Sequence, residues 1–198
     1  MLRNQIRQGL GALAHLNGVA ENLNNTKDNQ RFVLVLYRSP RFLVDFQHGS
    51  FQSIIDSLSA LNLPLRVTSF STLAPLEQAW LVSNAAVVIS VHGADLTNIL
   101  FLPPSSAVIE ISLRYGWCCD PAMHPPSKCT GPCKPYHKAD FANLAQALGH
   151  EYHFIDPVYS DPPVGKNPIN TANVYINSTE LAMLTLLLWG RTVYSNMA

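Results

Sequence analysis

Three short apolar runs, RFVLVLY (residues 31–37), AVVISV (86–91) and SAVIEI (106–111), and a more mixed fourth, LRVTSF (65–70), are separated by stretches whose apolar residues recur at three- and four-residue steps. This alternation constrains the fold more than any other feature. An apolar run without polar alternation has no face to give to water, so it reads as a strand buried on both sides. A three-to-four step lines apolar side chains along one side of a helix. Strands and helices in turn predict an α/β domain with a Rossmann-like, doubly wound parallel sheet. Each strand is expected to be short and buried on both faces.

The rest of the chain fits this frame. Gly49 and Ser50 open a helix whose apolar residues are Phe51, Ile54, Ile55, Leu58 and Leu61. Pro64 precedes the strand at 65–70, and Pro75 takes a first helical position for PLEQAWLVSN (75–84). Asp95 to Leu102 reads as a helix, Ala139 to Leu148 as another, and Glu151 to Ile155 as the last short strand. Leu113 to Lys138 is a long loop rich in Pro, Cys, Gly and Lys. A Pro/Gly/Asn-rich stretch runs to Asn177, and a helix from Ser178 closes the chain. Residues 1–30 read as an amphipathic helix and linker, and 31–198 as the domain. Doubly wound sheets bind ligands at the carboxyl ends of their strands. The places to look are therefore just after Tyr37, Phe70, Val91 and Ile111.

Charge excludes some partners. The 198 residues carry 13 basic and 13 acidic side chains, a net charge of zero. No overall field attracts a nucleic-acid backbone or an anionic membrane. Charged residues are 13% of the chain, about half the usual share. A chain so weakly charged is poorly protected against association, and one of its faces is expected to be covered by another domain. No run reaches the roughly 20 apolar residues that a membrane helix needs. Residues 1–16 hold Arg3 and Arg7 among Gln5, Gln8 and His15, unlike a signal peptide's apolar centre. A targeting segment, if one serves this protein, is expected outside the chain.

The four cysteines, Cys118, Cys119, Cys129 and Cys133, are clustered. Zinc sites and disulfides both fit such clustering. Adjacent Cys118 and Cys119 are awkward for one tetrahedral site, which favours disulfides, with three pairings open. Asn24-Asn25-Thr26 and Asn177-Ser178-Thr179 are glycosylation sequons and lean the same way.

The sharpest segment is VVISVHGADLTNILFLPPSSAVIEI, residues 87–111. A buried strand stops at His92, and Gly93 and Ala94 let the chain turn tightly into a helix. The first amides of such a helix are unpaired and make a ready phosphate site. Thr97 and Asn98 on its first turn are candidates for further donors. The alternative is an ordinary strand-to-helix turn with a capping residue.

His-Gly-Ala-x-Leu-Thr-Asn, then Leu-Phe-Leu-Pro-Pro, then a strand carrying Glu, resembles the signature block of family 61 glycosyltransferases. RFVLVLYRSPR (31–41), TLAPLEQAWLVSN (72–84) and DFANLAQALGHEYH (140–153) are similar to other segments of that family. The resemblance implies a GT-B arrangement of two Rossmann-like domains across a cleft, this chain being the C-terminal, nucleotide-sugar-binding half. A missing N-terminal acceptor domain is then a partner. The resemblance also implies an inverting transferase, moving a xylose, GlcNAc or arabinose-class sugar from a UDP-sugar to a hydroxyl of a glycan or glycoprotein. The compartment would be the Golgi or endoplasmic reticulum lumen. No cofactor is required, the UDP-sugar being a substrate. No Asp-x-Asp metal motif is present in the sequence, and the need for a divalent metal stays open.

By the same resemblance Arg38 and Arg41 contact the donor diphosphate, which guanidinium groups bind bidentately. His92, Gly93, Ala94, Thr97 and Asn98 lie beside the diphosphate or the sugar. Glu110 accepts from ribose hydroxyls or, alternatively, sits in a buried ion pair. Asp95 departs from the family, which often has an uncharged residue there. It suits the helix dipole but would repel a diphosphate on the same amides. Inversion needs a base for the acceptor proton, and His92, Asp95 and a group of the missing domain are the candidates. The alternative function is a truncated or non-catalytic module that only binds nucleotide or a partner.

Overall fold

A computed structural model describes residues 31–37, 43–45, 47–112, 140–157, 159–160 and 174–194. Arg38, Arg41, Asn24, all four cysteines and the 1–30 segment lie outside the described residues.

The main sheet has five parallel strands. They are β1 (Phe32–Leu36), β3 (Leu65–Thr68), β4 (Ala85–Val91), β5 (Ala107–Ile111) and β6 (Glu151–Ile155). In space they run β3-β1-β4-β5-β6. The chain therefore steps outward from β1 to β3, then crosses back to lay β4 on the other side of β1. That reversal makes a crevice between the carboxyl ends of β1 and β4, the usual ligand position in such sheets.

Pleating sorts the strand residues into two layers. Val33, Val35, Val87, Ile89, Ala107 and Ile109 face α1 (Phe51–Ser59) and α4 (Ser178–Tyr194), which contribute Ile54, Leu58, Leu181 and Leu188. Leu34, Leu36, Val88 and Val108 face the opposite way, onto α2 (Pro75–Asn84), a 3-10 helix (Ala94–Phe101) and α3 (Asp140–Ala147). These supply Leu81, Val82, Leu96, Ile99 and Ala145. The result is the expected three-layer, Rossmann-like arrangement. Every residue of β1, β4 and β5 is buried.

The structure departs from the expectations in four places. The edge strands β3 and β6 are half-buried, because each has a neighbour on one side only. The second strand ends at Thr68, and a 3-10 turn (Phe70–Thr72) replaces its last residues. The helix after His92 is 3-10 rather than α, with bonds from Leu96 N to Gly93 O and from Leu102 N to Ile99 O, each 3.1 Å. Finally, a second sheet was not expected. In it β2 (Leu43–Asp45) pairs parallel with β8 (Val174–Ile176), and β8 pairs antiparallel with β7 (Tyr159–Ser160). Val174 and Ile176 are wholly buried against the α1–α4 side of the core. Tertiary burial, not local pattern, makes this strand.

Local chemistry sets the helix ends. Ser50 Oγ accepts the amide of Ser53 at 3.1 Å and starts α1. Glu77 Oε2 accepts the amide of Ala74 at 2.7 Å at the start of α2. Gly149, at φ +71°, reverses the chain after α3 and feeds it into β6.

Candidate functional site

The site follows from strand register. The ladder pairs Val91 with Ile111, and His92 N extends it with a 2.9 Å bond to Ile111 O. Glu110 pairs with Ser90, so His92 lies two residues past the register partner of Glu110. Tyr152 pairs with Val108, so Glu110 lies two residues past the partner of Tyr152. A two-residue step keeps the same face of a pleated sheet. Three side chains from three adjacent strands thus form a diagonal on the α2–α3 face.

Along that diagonal the polar atoms meet. His92 Nδ1 pairs with Glu110 Oε1. The Tyr152 hydroxyl donates to Glu110 Oε2 at 2.6 Å. The carboxylate is 2% exposed and the imidazole 17%. Phe141, on α3, sets its ring edge-on to His92, with centroids 5.4 Å apart and planes at 61°. A buried carboxylate is expensive unless each oxygen is hydrogen-bonded. Here one oxygen meets the imidazole and the other the phenol. Burial, and then the bond and charge of Glu110, push the Tyr152 phenol up. It therefore stays protonated and keeps donating.

A carboxylate on Nδ1 fixes the ring's orientation. When the ring is neutral and Nδ1 carries the proton, Nε2 is an acceptor. When the ring is charged, Nε2 is a donor to an anion. The pair stands at the carboxyl edge of β4, beside the β1–β4 crevice.

The other predicted residues are distributed around this centre. Gly93 has φ 164°, extended backbone open to any residue, so the tight turn does not require glycine's conformational freedom. In the 3-10 helix the amides of Ala94 and Asp95 precede the first internal bond. The Thr97 hydroxyl donates to Ala94 O at 2.5 Å, and Asn98 Nδ2 to Asp95 O at 3.3 Å. Thr97 thus uses its donor on its own helix, and Asn98 Nδ2 also reaches Gln78 Oε1 on α2 at 3.4 Å. Asp95 is half-buried on the first turn. Of the alternatives for Glu110, the structure holds the buried pair, and a ribose contact would have to share oxygens already engaged. Asn177 Oδ1 accepts the amides of Thr179 and Glu180 at 3.0 and 3.2 Å, capping α4.

Sequence reasoning missed three residues here. Tyr152 and Phe141 were legible only as members of an element, although counting register in two-residue steps finds Tyr152. Gln78 had no signal. It donates to Phe70 O and Leu73 O at 3.0 and 2.9 Å and pins the 3-10 turn to α2. Among the described residues, no group of three or more His, Cys, Asp or Glu gathers as a metal centre.

The sequence from residue 20 to residue 109 matches the Glycosyltransferase 61 family. An EGF domain-specific O-linked N-acetylglucosamine transferase from dog is 29% identical over 85 residues, covering 43% of this chain and 16% of that protein. The chimpanzee protein of the same name is 28% identical over 85 residues, with the same coverage. The chain thus aligns with less than a fifth of the length of these curated relatives. The matched segment spans β1 to β4 and the 3-10 helix and stops one residue short of Glu110. No described helix is long and apolar enough to cross a membrane.

Proposed function

We propose that this chain is the nucleotide-sugar-binding half of an inverting GT-B glycosyltransferase. The observation that carries the reading is the buried His92–Glu110 pair at the sheet's carboxyl edge, with His92 inside the segment that matches the Glycosyltransferase 61 family. The donor is a UDP-sugar. Its diphosphate lies across the β1–β4 crevice, near the amides of Ala94 and Asp95, with Arg38 and Arg41 supplied by the segment after β1. The acceptor is a hydroxyl of a glycan or glycoprotein, presented by a second domain in the Golgi or endoplasmic reticulum lumen. The relatives' name supports a GlcNAc donor within this class.

In the transfer, the acceptor oxygen bonds to the anomeric carbon from the face opposite UDP. The bond from that carbon to the diphosphate oxygen breaks, and its electron pair leaves with UDP. The acceptor proton passes to a base. His92, oriented by Glu110, stabilises the departing diphosphate. With His92 in that role, Asp95 or a group of the second domain takes the acceptor proton.

The test is calorimetric titration of UDP, UDP-xylose and UDP-GlcNAc into the wild type and an Arg38→Ala/Arg41→Ala double variant. Binding by the wild type and its loss in the double variant are expected. No UDP binding by the folded wild type sinks the nucleotide site. Equal binding by both sinks the arginine assignment alone.

A further inference from the structure

We infer that Gln78 is a positioning residue that acts through Asn98. It ties the first turn of the 3-10 helix after β4 to the turn after β3, and so holds the amides of Ala94 and Asp95 in place for the donor diphosphate, a role that rests on the donor-site reading above.

The two segments that Gln78 joins flank the end of β1. Strand order places β3 and β4 on either side of β1. The 3-10 turn Phe70–Thr72 follows β3, and the 3-10 helix Ala94–Phe101 follows β4. Gln78, half-buried on α2, is bonded to both sides. Its Nε2 donates to Phe70 O at 3.0 Å and to Leu73 O at 2.9 Å. A side-chain amide has two N–H hydrogens, and these carbonyls take both. They also fix which way the amide faces, since only its nitrogen can meet two carbonyls, and Oε1 is left to accept. Asn98 Nδ2 donates to that oxygen at 3.4 Å and to Asp95 O at 3.3 Å. Asn98 thus reaches α2 with one hydrogen and its own first turn with the other. The Asp95 carbonyl shares a peptide plane with the Leu96 amide, which bonds to Gly93 O at 3.1 Å. Holding that plane holds the turn that carries the amides of Ala94 and Asp95. The other end is anchored as well, because Phe70 is 3% exposed, within the core on the α2–α3 side. The link carries no charge, so it acts on the diphosphate by placement alone.

A structural role and a positioning role separate by substitution. Gln78→Met keeps the length of the side chain and removes its hydrogen bonds. Asn98→Ala cuts the same link from the other side and leaves the bonds of Gln78 to Phe70 and Leu73. Ile89→Val, on the opposite face of the sheet, lowers stability without touching the link. Hydrogen exchange of the Leu96 amide, measured where each protein is folded, reads the turn itself. It is expected to quicken about fivefold in Gln78→Met and in Asn98→Ala, the equivalent of one hydrogen bond, and to keep its wild-type rate in Ile89→Val. UDP affinity by calorimetry is expected to fall about fivefold in the same two variants. In the double variant it is expected to fall no further than in the more affected single one, because both changes cut one link. Wild-type UDP affinity in folded Gln78→Met overturns the inference whatever that variant's stability. An unchanged Leu96 rate in both single variants overturns it too, as do affinity losses that add in the double variant. If the wild type binds no UDP, the donor-site reading falls and the role toward the diphosphate with it, whereas the Leu96 rates still decide whether Gln78 holds the turn.

Discussion

Phe141 stands edge-on to His92, its ring centroid 5.4 Å from that of the imidazole. The contact joins α3 to the end of β4. An edge-to-face aromatic pair contributes about 0.5–1.5 kcal/mol beyond burial. Phe141→Ala is therefore expected to lower unfolding free energy by that amount plus part of the ring's burial, and to weaken UDP binding. Phe141→Leu recovers most of the stability and less of the binding. Urea unfolding and calorimetry on both variants measure the split, and equal recovery of the two quantities counts against an orienting role.

The fixed cap of the last helix gives a second expectation. Asn177 Oδ1 accepts the amides of Thr179 and Glu180. Asn177→Ala is expected to cost about 1 kcal/mol. Asn177→Asp keeps an acceptor oxygen there and adds charge favourable to the helix start, so its melting temperature stays near that of the wild type. Both variants destroy the sequon. A mass lost equally from both, in protein made in a secretory host, reports glycosylation independently of stability.

Acid sensitivity follows from the outer edge of the sheet. Burial pushes the Glu151 carboxyl up, but hydrogen bonds and charge from His153 and Arg191 outweigh it and hold the group below its ordinary value. Arg191 Nη1 lies 2.6 Å from Glu151 Oε1, and His153 Nε2 lies 3.0 Å from the same oxygen. A carboxylate lowered on folding contributes stability that is complete above its unfolded pKa and lost as pH falls through the folded one. The loss is therefore expected below about pH 4.3, the ordinary Glu value. Arg191 is 57% exposed, so the contribution is at most about 1 kcal/mol. The stability gap between wild type and Glu151→Gln should narrow as pH falls from 6 to 3. A gap constant across that range refutes the assignment.

Depth in the core sets the largest mutational effect. Ile89 is 0% exposed at the centre of the sheet, and Ile89→Ala is expected to cost about 2–5 kcal/mol. Leu187, on α4, is 49% exposed. Leu187→Ala is expected to stay within about 0.5 kcal/mol in the isolated chain. Urea midpoints with unchanged slope check both.

The legible part of this protein was what repeats at short range. RFVLVLY and SAVIEI announced buried strands because, apart from Arg31, Ser106 and the isolated Glu110, every residue in them is apolar. Phe51, Ile54 and Leu58 announced a helix by spacing. Val174–Ile176 was illegible because three residues among Pro, Gly and Asn carry no period, and only partners elsewhere in the chain, at Leu43–Asp45 and Tyr159–Ser160, make them a strand. His92 and Glu110 were both singled out, but for separate tasks. Their pairing depends on sheet register, which no local pattern encodes. Asp95 to Leu102 read as a helix, and the segment settled as the 3-10 helix Ala94–Phe101.

The diagonal of His92, Glu110 and Tyr152 also ties the site to the order in which the sheet is completed. His92 and Glu110 are 18 residues apart, whereas Tyr152 is 42 beyond Glu110. Its strand β6 is the outermost of the sheet, held on one side only by β5. Edge elements of this kind open at less cost than the whole domain. Opening at that edge would leave β4 and β5 paired and the core around Ile89 dry, yet it would strip the carboxylate of one donor. The ionic centre is thus expected to fail by partial undocking well before the domain melts, so heat-loss of ligand binding should precede heat-loss of secondary structure.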